Sequence, residues 1–213
     1  MMAAPVFLFA HGWAGSPSIW SGLVAVLAGR GVDPADCYFW DQGYFGPATL
    51  PDLPVGRPVI GIGHSLGAPL LWQRDDLAAL VAINGFTRFT AMADCPTGTP
   101  PRLLAQMRRR FAATPAAVLA DFTARAGLPL PEGPMQADRL GVGLEMLDGV
   151  DVRALPSPPV LLALAGQEDA IVPPAHAEAC FGPALRLVPG GHALPVTASD
   201  LCADLVLEAA SSC

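Results

Sequence analysis

The chain has 213 residues, of which 52% are hydrophobic and 15% are charged, and its formal net charge is −7. This length suits one domain, and the apolar content is enough for a core on both sides of a single sheet. The negative charge argues against nucleic acid as a partner, because a face that binds nucleic acid is basic. No apolar run approaches the ~20 residues of a membrane-spanning helix. The apolar run at 5–10 is too short for a secretion signal, so we expect a cytoplasmic protein.

Short apolar segments alternate with helical patterns, which predicts an α/β fold with a mostly parallel sheet of about six strands flanked by helices. The predicted strands cover residues 6–9, 37–40, 59–63, 80–84, 160–165 and 185–188. Ser18 is predicted to cap a helix that follows the first strand and ends near Gly31. Residues 198–210 are predicted to form a closing helix.

Between the fourth and fifth predicted strands the alternation stops. Residues 87–155 show no strand pattern but contain amphipathic helices predicted at 101–113, 114–127 and 137–147. Pro115 at a first helical position and Gly127 just past a helix end support the middle one. We therefore predict a core of residues 1–86 and 156–213, and a helical insert, residues 87–155, that forms a lid over a site.

The charges are unevenly distributed. All basic residues are arginine, and residues 87–140 hold seven arginines and four acidic residues, a net charge of +3 that leaves −10 for the remainder. Arginine pairs well with phosphate and carboxylate, so the helical insert would suit an anionic substrate or partner. The alternative is that these arginines simply face solvent on exposed helix surfaces and bind no partner. At most two of the three arginines at 108–110 can point in one direction on a helix.

Cysteine and histidine positions give no sign of a metal or cofactor. The five cysteines are scattered without a C-x-x-C pair, and no H-E-x-x-H or glycine-rich phosphate loop occurs. We therefore expect reduced thiols and neither metal nor cofactor. His176 lies in a proline-rich connection and is expected at the surface, while His64 is expected to be structural.

The sequence GHSLG at 63–67 matches the pattern G-x-S-x-G between a predicted strand and a predicted helix. Such a sharp turn exposes a serine at the sheet edge and directs a helix N-terminus towards a developing oxyanion. The pattern alone is weak evidence, but this context makes Ser65 the candidate nucleophile. The backbone N–H groups of Leu66 and of Trp13, in the loop after the first strand, are the candidate oxyanion donors.

A serine hydroxyl is a poor nucleophile until a base removes its proton. His192 follows the last predicted strand on a glycine-rich loop, and Asp169 follows the fifth strand at the same sheet edge. We predict that His192 is the general base and that Asp169 orients it. Glu168 is the alternative acid.

With these motifs the chain resembles the α/β-hydrolase superfamily over almost its whole length, including its order of serine, acid and histidine. More narrowly, it resembles the pimeloyl-[acyl-carrier protein] methyl ester esterases of biotin synthesis. The matching features are the HGW sequence at 11–13, the serine motif, the INGF sequence at 83–86 and the arginine-bearing helical insert. In that family the serine cleaves a methyl ester and the insert's arginines hold the acidic carrier protein.

The resemblance implies an α/β-hydrolase fold and a serine carboxylester hydrolase that cleaves a pimeloyl-type methyl ester presented by acyl-carrier protein. The candidate substrate-binding residues are Trp13, Phe86, Phe111, Arg108 and Arg109. A thioesterase or a general short-chain carboxylesterase is the alternative on the same triad, and fold alone does not exclude a lyase or a cofactor-independent oxygenase. Dehalogenase and epoxide hydrolase activities are disfavoured, because those relatives carry an aspartate where Ser65 stands. A non-catalytic binding protein that has kept the fold is the alternative from another class.

Overall fold

The computed structural model describes residues 3–213. Within this range six strands form one parallel sheet, in the order β2-β1-β3-β4-β5-β6. The strands are β1 Val6–Ala10, β2 Cys37–Trp40, β3 Val59–His64, β4 Leu77–Ile83, β5 Val160–Gly166 and β6 Leu185–Val188. The α-helices are α1 Ser21–Gly29, α2 Gly67–Trp72, α3 Pro101–Ala113, α4 Pro115–Ala126, α5 Ala137–Gly149, α6 Pro174–Phe181, α7 Leu194–Thr197 and α8 Ser199–Ser211.

The central strands are buried on both faces, as expected of a parallel sheet covered by helices. Successive side chains of a strand point to opposite faces. Phe7 and Phe9 of β1 therefore join the larger apolar cluster with α1 and α8, while Val6, Leu8 and Ala10 join a second cluster with α2 and α6. The predicted fold class is confirmed.

Parallel pairing brings the carboxyl ends of the strands to one edge of the sheet. Ala10 pairs with Gly63, and Ile83 pairs with both His64 and Leu164. The backbone N–H of Ser65 donates to Ile83 O at 3.0 Å, one residue beyond the end of β3. The segments that leave these strands therefore start from fixed positions beside one another.

The start of the first helix differs from the prediction. A 3₁₀ turn, Pro17–Trp20, precedes α1, and Ser16 caps it by accepting a hydrogen bond from the Ser18 N–H. Ser18 as the cap was wrong, because Ser16 has the extended backbone that a cap needs and Pro17 is preset for a first helical position.

The helical insert contains α3, α4 and α5. Helix α4 begins at Pro115 after Thr114, and Gly127, with φ +67°, ends it in the left-handed conformation. The buried faces of these helices join the larger apolar cluster, the one that contains Phe7 and Phe9 of β1. The residues involved include Leu104, Phe111, Phe122, Leu140 and Leu144. The insert is thus packed onto the sheet domain.

His176 was expected at the surface, but it lies in a helix and is buried. His176 lies in α6 and is 1% exposed. Its Nε2–H donates to the Arg88 carbonyl at 2.7 Å, and its Nδ1 lies 3.0 Å from the Thr97 hydroxyl. The surface prediction was wrong because these two partners, far away in sequence, satisfy both ring nitrogens in the interior.

Among the helices of residues 3–213, none has the length and apolar character that crossing a bilayer needs.

Candidate active site

Ser65 occupies a sharp turn between β3 and α2. Its φ is +52°, a left-handed conformation that non-glycine residues rarely adopt. The turn depends on close packing by glycines. A Cβ on Gly67 would collide with the Ala10 carbonyl oxygen, and one on Gly12 would lie 2.7 Å from the Ser65 Cβ. These two glycines therefore allow Ser65 and the start of α2 to pack directly against the loop that follows β1.

Backbone strain concentrates at this edge of the sheet. In residues 3–213, the non-glycine residues with positive φ are Ala14, Ser65 and Asn84, which follow β1, β3 and β4. Such conformations cluster at functional sites, where the surrounding structure enforces them. The INGF segment contributed only to the family resemblance, and Asn84 was not predicted to belong to the site. The one available signal was its asparagine, a residue that tolerates positive φ.

Asp169 and His192 form a buried pair. The His192 Nδ1–H donates to Asp169 Oδ2 at 2.8 Å, and the two residues are 2% and 4% exposed. The other carboxylate oxygen, Oδ1, accepts the backbone N–H groups of Ile171 at 2.8 Å and Val172 at 2.9 Å. Burial by itself raises the pKa of Asp169, but the hydrogen bonds from His192, Val172 and Ile171 outweigh it and leave the pKa below its usual value.

Asp169, and not Glu168, faces the histidine. The Glu168 side chain is exposed, and its backbone N–H donates to Gly190 O at 2.9 Å. The geometry therefore favours Asp169 as the acid.

No hydrogen bond joins Ser65 and His192 in residues 3–213, and the contact between their segments is made by His64, which precedes Ser65 and bonds the His192 carbonyl at 2.8 Å. Within the described chain, the buried Nε2 of His192 has no partner. In the neutral imidazole whose Nδ1–H is donated to Asp169, Nε2 is the free acceptor of the ring. Hydrogen bonds of this kind are often loose in ligand-free enzymes and tighten when substrate binds.

His64 lies directly behind His192. It is 1% exposed, its ring centroid is 4.8 Å from that of His192, and its Nε2–H donates to the His192 carbonyl at 2.8 Å. Burial, reinforced by the neighbouring His192, lowers the pKa of His64 to about 3. His64 is therefore neutral at ordinary pH and holds the His192 backbone.

The two candidate oxyanion donors lie on adjoining turns. Trp13 follows β1 and Leu66 follows Ser65, and Gly12 packs against Ser65 between them. Among residues 3–213, no acceptor pairs with either backbone N–H. Both groups are therefore free to bind an oxygen that develops negative charge.

The indole of Trp13 attaches this loop to the helical insert. Its Nε1–H donates to the Leu140 carbonyl of α5 at 2.8 Å, and the ring packs edge-on against Phe111 and Phe122, with centroids 6.1 Å and 4.8 Å away. Trp13 is only 2% exposed. The side chain predicted to line a pocket is thus buried between the two parts of the molecule.

Of the remaining substrate-binding candidates, Phe86 lies apart from the two arginines, which share one cleft of the insert. Phe86 is fully buried and packs against Phe89, with centroids 5.1 Å apart. Arg108 pairs with Glu145 and Asp148 of α5, each at 3.2 Å. Arg109 is exposed beside it. Phe86 is therefore a packing residue in this conformation.

Two of the clefts found in residues 3–213 are lined mainly by the helical insert. One of about 500 Å³ lies between α3, α4 and the segment after Asp169, with an apolar wall that includes Leu104, Phe122 and Ile171. The other, of about 650 Å³, lies between α3 and α5 and is lined by residues that include Arg108, Arg109 and Phe111. Ser65, which is 5% exposed, lines neither cleft.

Fold and site together define an α/β protein with a serine on a strand-to-helix turn beside a buried acid–histidine pair. The sequence model of the α/β hydrolase family matches residues 7–205, and the chain belongs to this family. No curated protein matches the chain.

Solved structures agree on the fold. An esterase from Exiguobacterium antarcticum superposes with a TM-score of 0.76 at 16% identity, over 99% of this chain and 93% of that one. A hydrolase from Oleispira antarctica gives 0.77 at 14% identity, over 99% and 92%. The thioesterase domain from the curacin biosynthetic pathway gives 0.60 at 18% identity, over 98% and 92%. At these identities the likeness concerns the fold.

Proposed function

We propose that this chain is a serine carboxylester hydrolase in which Ser65 is the nucleophile, His192 the general base and Asp169 the acid that orients it. The observation that carries the proposal is the buried Asp169–His192 hydrogen bond of 2.8 Å beside a serine whose φ is +52°. A fully bonded carboxylate, a histidine with a free Nε2 and a strained serine are the parts that acyl transfer requires.

In the proposed reaction, the Ser65 Oγ attacks the ester carbonyl carbon while the Nε2 of His192 takes its proton. The tetrahedral oxyanion accepts hydrogen bonds from the backbone N–H groups of Leu66 and Trp13. The C–O bond to the leaving alcohol then breaks as His192 returns the proton to that oxygen. Water, deprotonated by His192, attacks the acyl-enzyme, and the acid leaves as the proton returns to Ser65.

We further propose that the helical insert is a lid. Ser65 is only 5% exposed, and movement of α3, α4 or α5 would open a path to it for an ester. The cleft between α3 and α4 borders the site, because the backbone of Ile171 is bonded to Asp169 and Phe122 packs on Trp13. Its apolar wall suits an acyl chain.

For the substrate, we propose a pimeloyl-type methyl ester presented by acyl-carrier protein. Support comes from the resemblance of the HGW, GHSLG and INGF segments and from the +3 charge of residues 87–140. Arg109 is exposed on the α3–α5 cleft, and Arg108 beside it is held by two carboxylates. Of these two arginines, Arg109 would therefore be the one that pairs more readily with an acidic protein.

A thioesterase or a short-chain carboxylesterase is the second candidate. The same serine, histidine and acid serve a thioester equally well, and the curacin thioesterase domain shares the fold. A non-catalytic binding protein is separated from all these enzymes by labelling with a fluorophosphonate, which reacts with an activated serine.

The test is hydrolysis of p-nitrophenyl esters from C2 to C12, with methyl pimeloyl-carrier protein alongside, by the wild type, Ser65→Ala and the matched exposed-serine control Ser212→Ala. We expect the carrier-bound ester to be cleaved well above the generic esters, the activity to vanish in Ser65→Ala, and Ser212→Ala to behave as wild type. Activity on short esters alone would remove the carrier protein from the proposal. No activity and no fluorophosphonate labelling would overturn it.

A further inference from the structure

Asn84 makes contacts that the proposed reaction does not explain. It lies just beyond β4, is 0% exposed and has a φ of +48°. Its Nδ2 donates to Asp169 Oδ2 at 2.8 Å and to the Gly191 carbonyl at 3.2 Å. One side-chain amide therefore joins the acid to the residue directly before His192.

The orientation of this amide is determined by its partners. Both are acceptors, so only the NH₂ group can face them, and each receives one hydrogen. The other end of the amide, Oδ1, is buried without a partner among residues 3–213. An unsatisfied buried acceptor and a left-handed backbone are both unfavourable, and they persist where the rest of the structure enforces them.

The loop that carries His192 needs such a restraint. After Pro189 it continues with Gly190, whose φ is +127°, and Gly191, so the backbone just before His192 is little restricted by its own side chains. Asn84 holds the Gly191 carbonyl, and His64 holds the next carbonyl, that of His192, at 2.8 Å. Two buried side chains from the ends of neighbouring strands thus fix successive carbonyls of this loop.

We infer that Asn84 is a positioning residue: its amide fixes the angle of the Asp169 carboxylate and anchors the His192 loop, so that the imidazole is presented to Ser65 in one orientation. The catalytic consequence rests on the proposed hydrolase function, whereas the positioning of the Asp169–His192 pair does not. Asn84 acts through these two residues and does not contact the reacting atoms.

Two substitutions separate the amide from the backbone conformation. Asn84→Gly keeps the positive φ without strain and removes the amide. Asn84→Asp keeps the shape and the tolerance of positive φ but places a carboxylate against Asp169. Gln73→Glu, an amide-to-acid change on the exposed end of α2, is the matched control. Circular dichroism and urea unfolding establish the folded fraction of each variant.

The readouts are kcat and KM on the best p-nitrophenyl ester, and the proton NMR resonance of the His192 Nδ1–H that is shared with Asp169. In folded Asn84→Gly and Asn84→Asp we expect kcat to fall about 10²-fold, the loss typical of a misplaced catalytic group, with KM within twofold of wild type. We expect the resonance to shift or broaden in both, and Gln73→Glu to match wild type.

A folded Asn84→Gly with wild-type kcat and an unmoved resonance would overturn the inference, as would a loss of rate that only tracks the folded fraction. Failure of the proposed function looks different, because the wild type itself would then neither hydrolyse esters nor react with the fluorophosphonate. In that case the NMR resonance still decides whether Asn84 positions the Asp169–His192 pair.

Discussion

The carboxyl edge of the sheet and the helical insert are held in different ways. At the sheet edge, Ser65, Asp169 and His192 are nearly buried and are fixed by short hydrogen bonds and strained turns. In the insert, arginines form ion pairs on exposed surface, such as Arg110 with Asp121 at 2.8 Å. Exposed pairs contribute about 0–1 kcal/mol each, so their residues can change without endangering the fold. We call the sheet edge the rigid region and the helical insert the adaptable region. We propose that the chemistry resides in the rigid region and substrate choice in the adaptable region.

The largest expected effect lies in the rigid region. Asp169→Asn keeps the shape of the side chain, but its amide no longer stabilises the imidazolium or fixes the ring tautomer. We expect kcat on a p-nitrophenyl ester to fall about 10⁴-fold, as when the orienting acid of such a triad is replaced. Glu168→Gln, one residue away and exposed, is the matched control and should retain wild-type kcat. Equal losses in both variants would contradict the assignment of the acid.

The same contrast explains what the sequence could predict. The serine motif and the strands before it are local patterns, and parallel pairing then places Asp169 and His192 at the same edge. Asn84 and His176 were missed as interior residues with defined partners, because those partners lie 85 and 88 residues away. In the insert, the helices were predictable from periodicity. The pairing of Arg108 with α5 was not, because it depends on how two helices pack.

Glycine substitutions should differ sharply between the two regions. Gly67→Ala places a Cβ against the Ala10 carbonyl oxygen, so we expect the free energy of unfolding to fall by about 3 kcal/mol. Gly141→Ala in α5 meets open space, and alanine favours a helix over glycine, so this variant should gain about 0.5–1 kcal/mol. Urea unfolding measures both. A similar loss in both variants would show that the insert is packed as tightly as the sheet edge.

Acid should lower the free energy of unfolding through His64, which lies in the rigid region. Because the pKa of His64 is lowered to about 3 in the folded protein, only the unfolded chain binds this proton between pH 3 and about 6.5. Stability is therefore complete above pH 6.5 and declines as the pH falls, by about 2 kcal/mol between pH 7 and pH 5.

His64→Gln tests this dependence, since glutamine keeps a donor for the His192 carbonyl and does not titrate. The difference in unfolding free energy between wild type and variant, measured from pH 7 to pH 5, should change by that amount. His176, with a raised pKa, contributes with the opposite sign, but it is present in both proteins and cancels in the difference. A pH-independent difference would contradict a buried, neutral His64.

The smallest expected effect lies in the adaptable region. Replacing Arg108 and Arg109 together by glutamine should raise KM for methyl pimeloyl-carrier protein several-fold, most clearly at low salt, and leave p-nitrophenyl butyrate hydrolysis unchanged. The matched control is Arg186→Gln, which breaks an exposed pair with Glu208 on β6 and α8, outside the insert. It should alter neither substrate. Equal losses on both substrates in the double variant would instead indicate a damaged insert, because generic esters share the serine, the histidine and the acid but need no anionic partner.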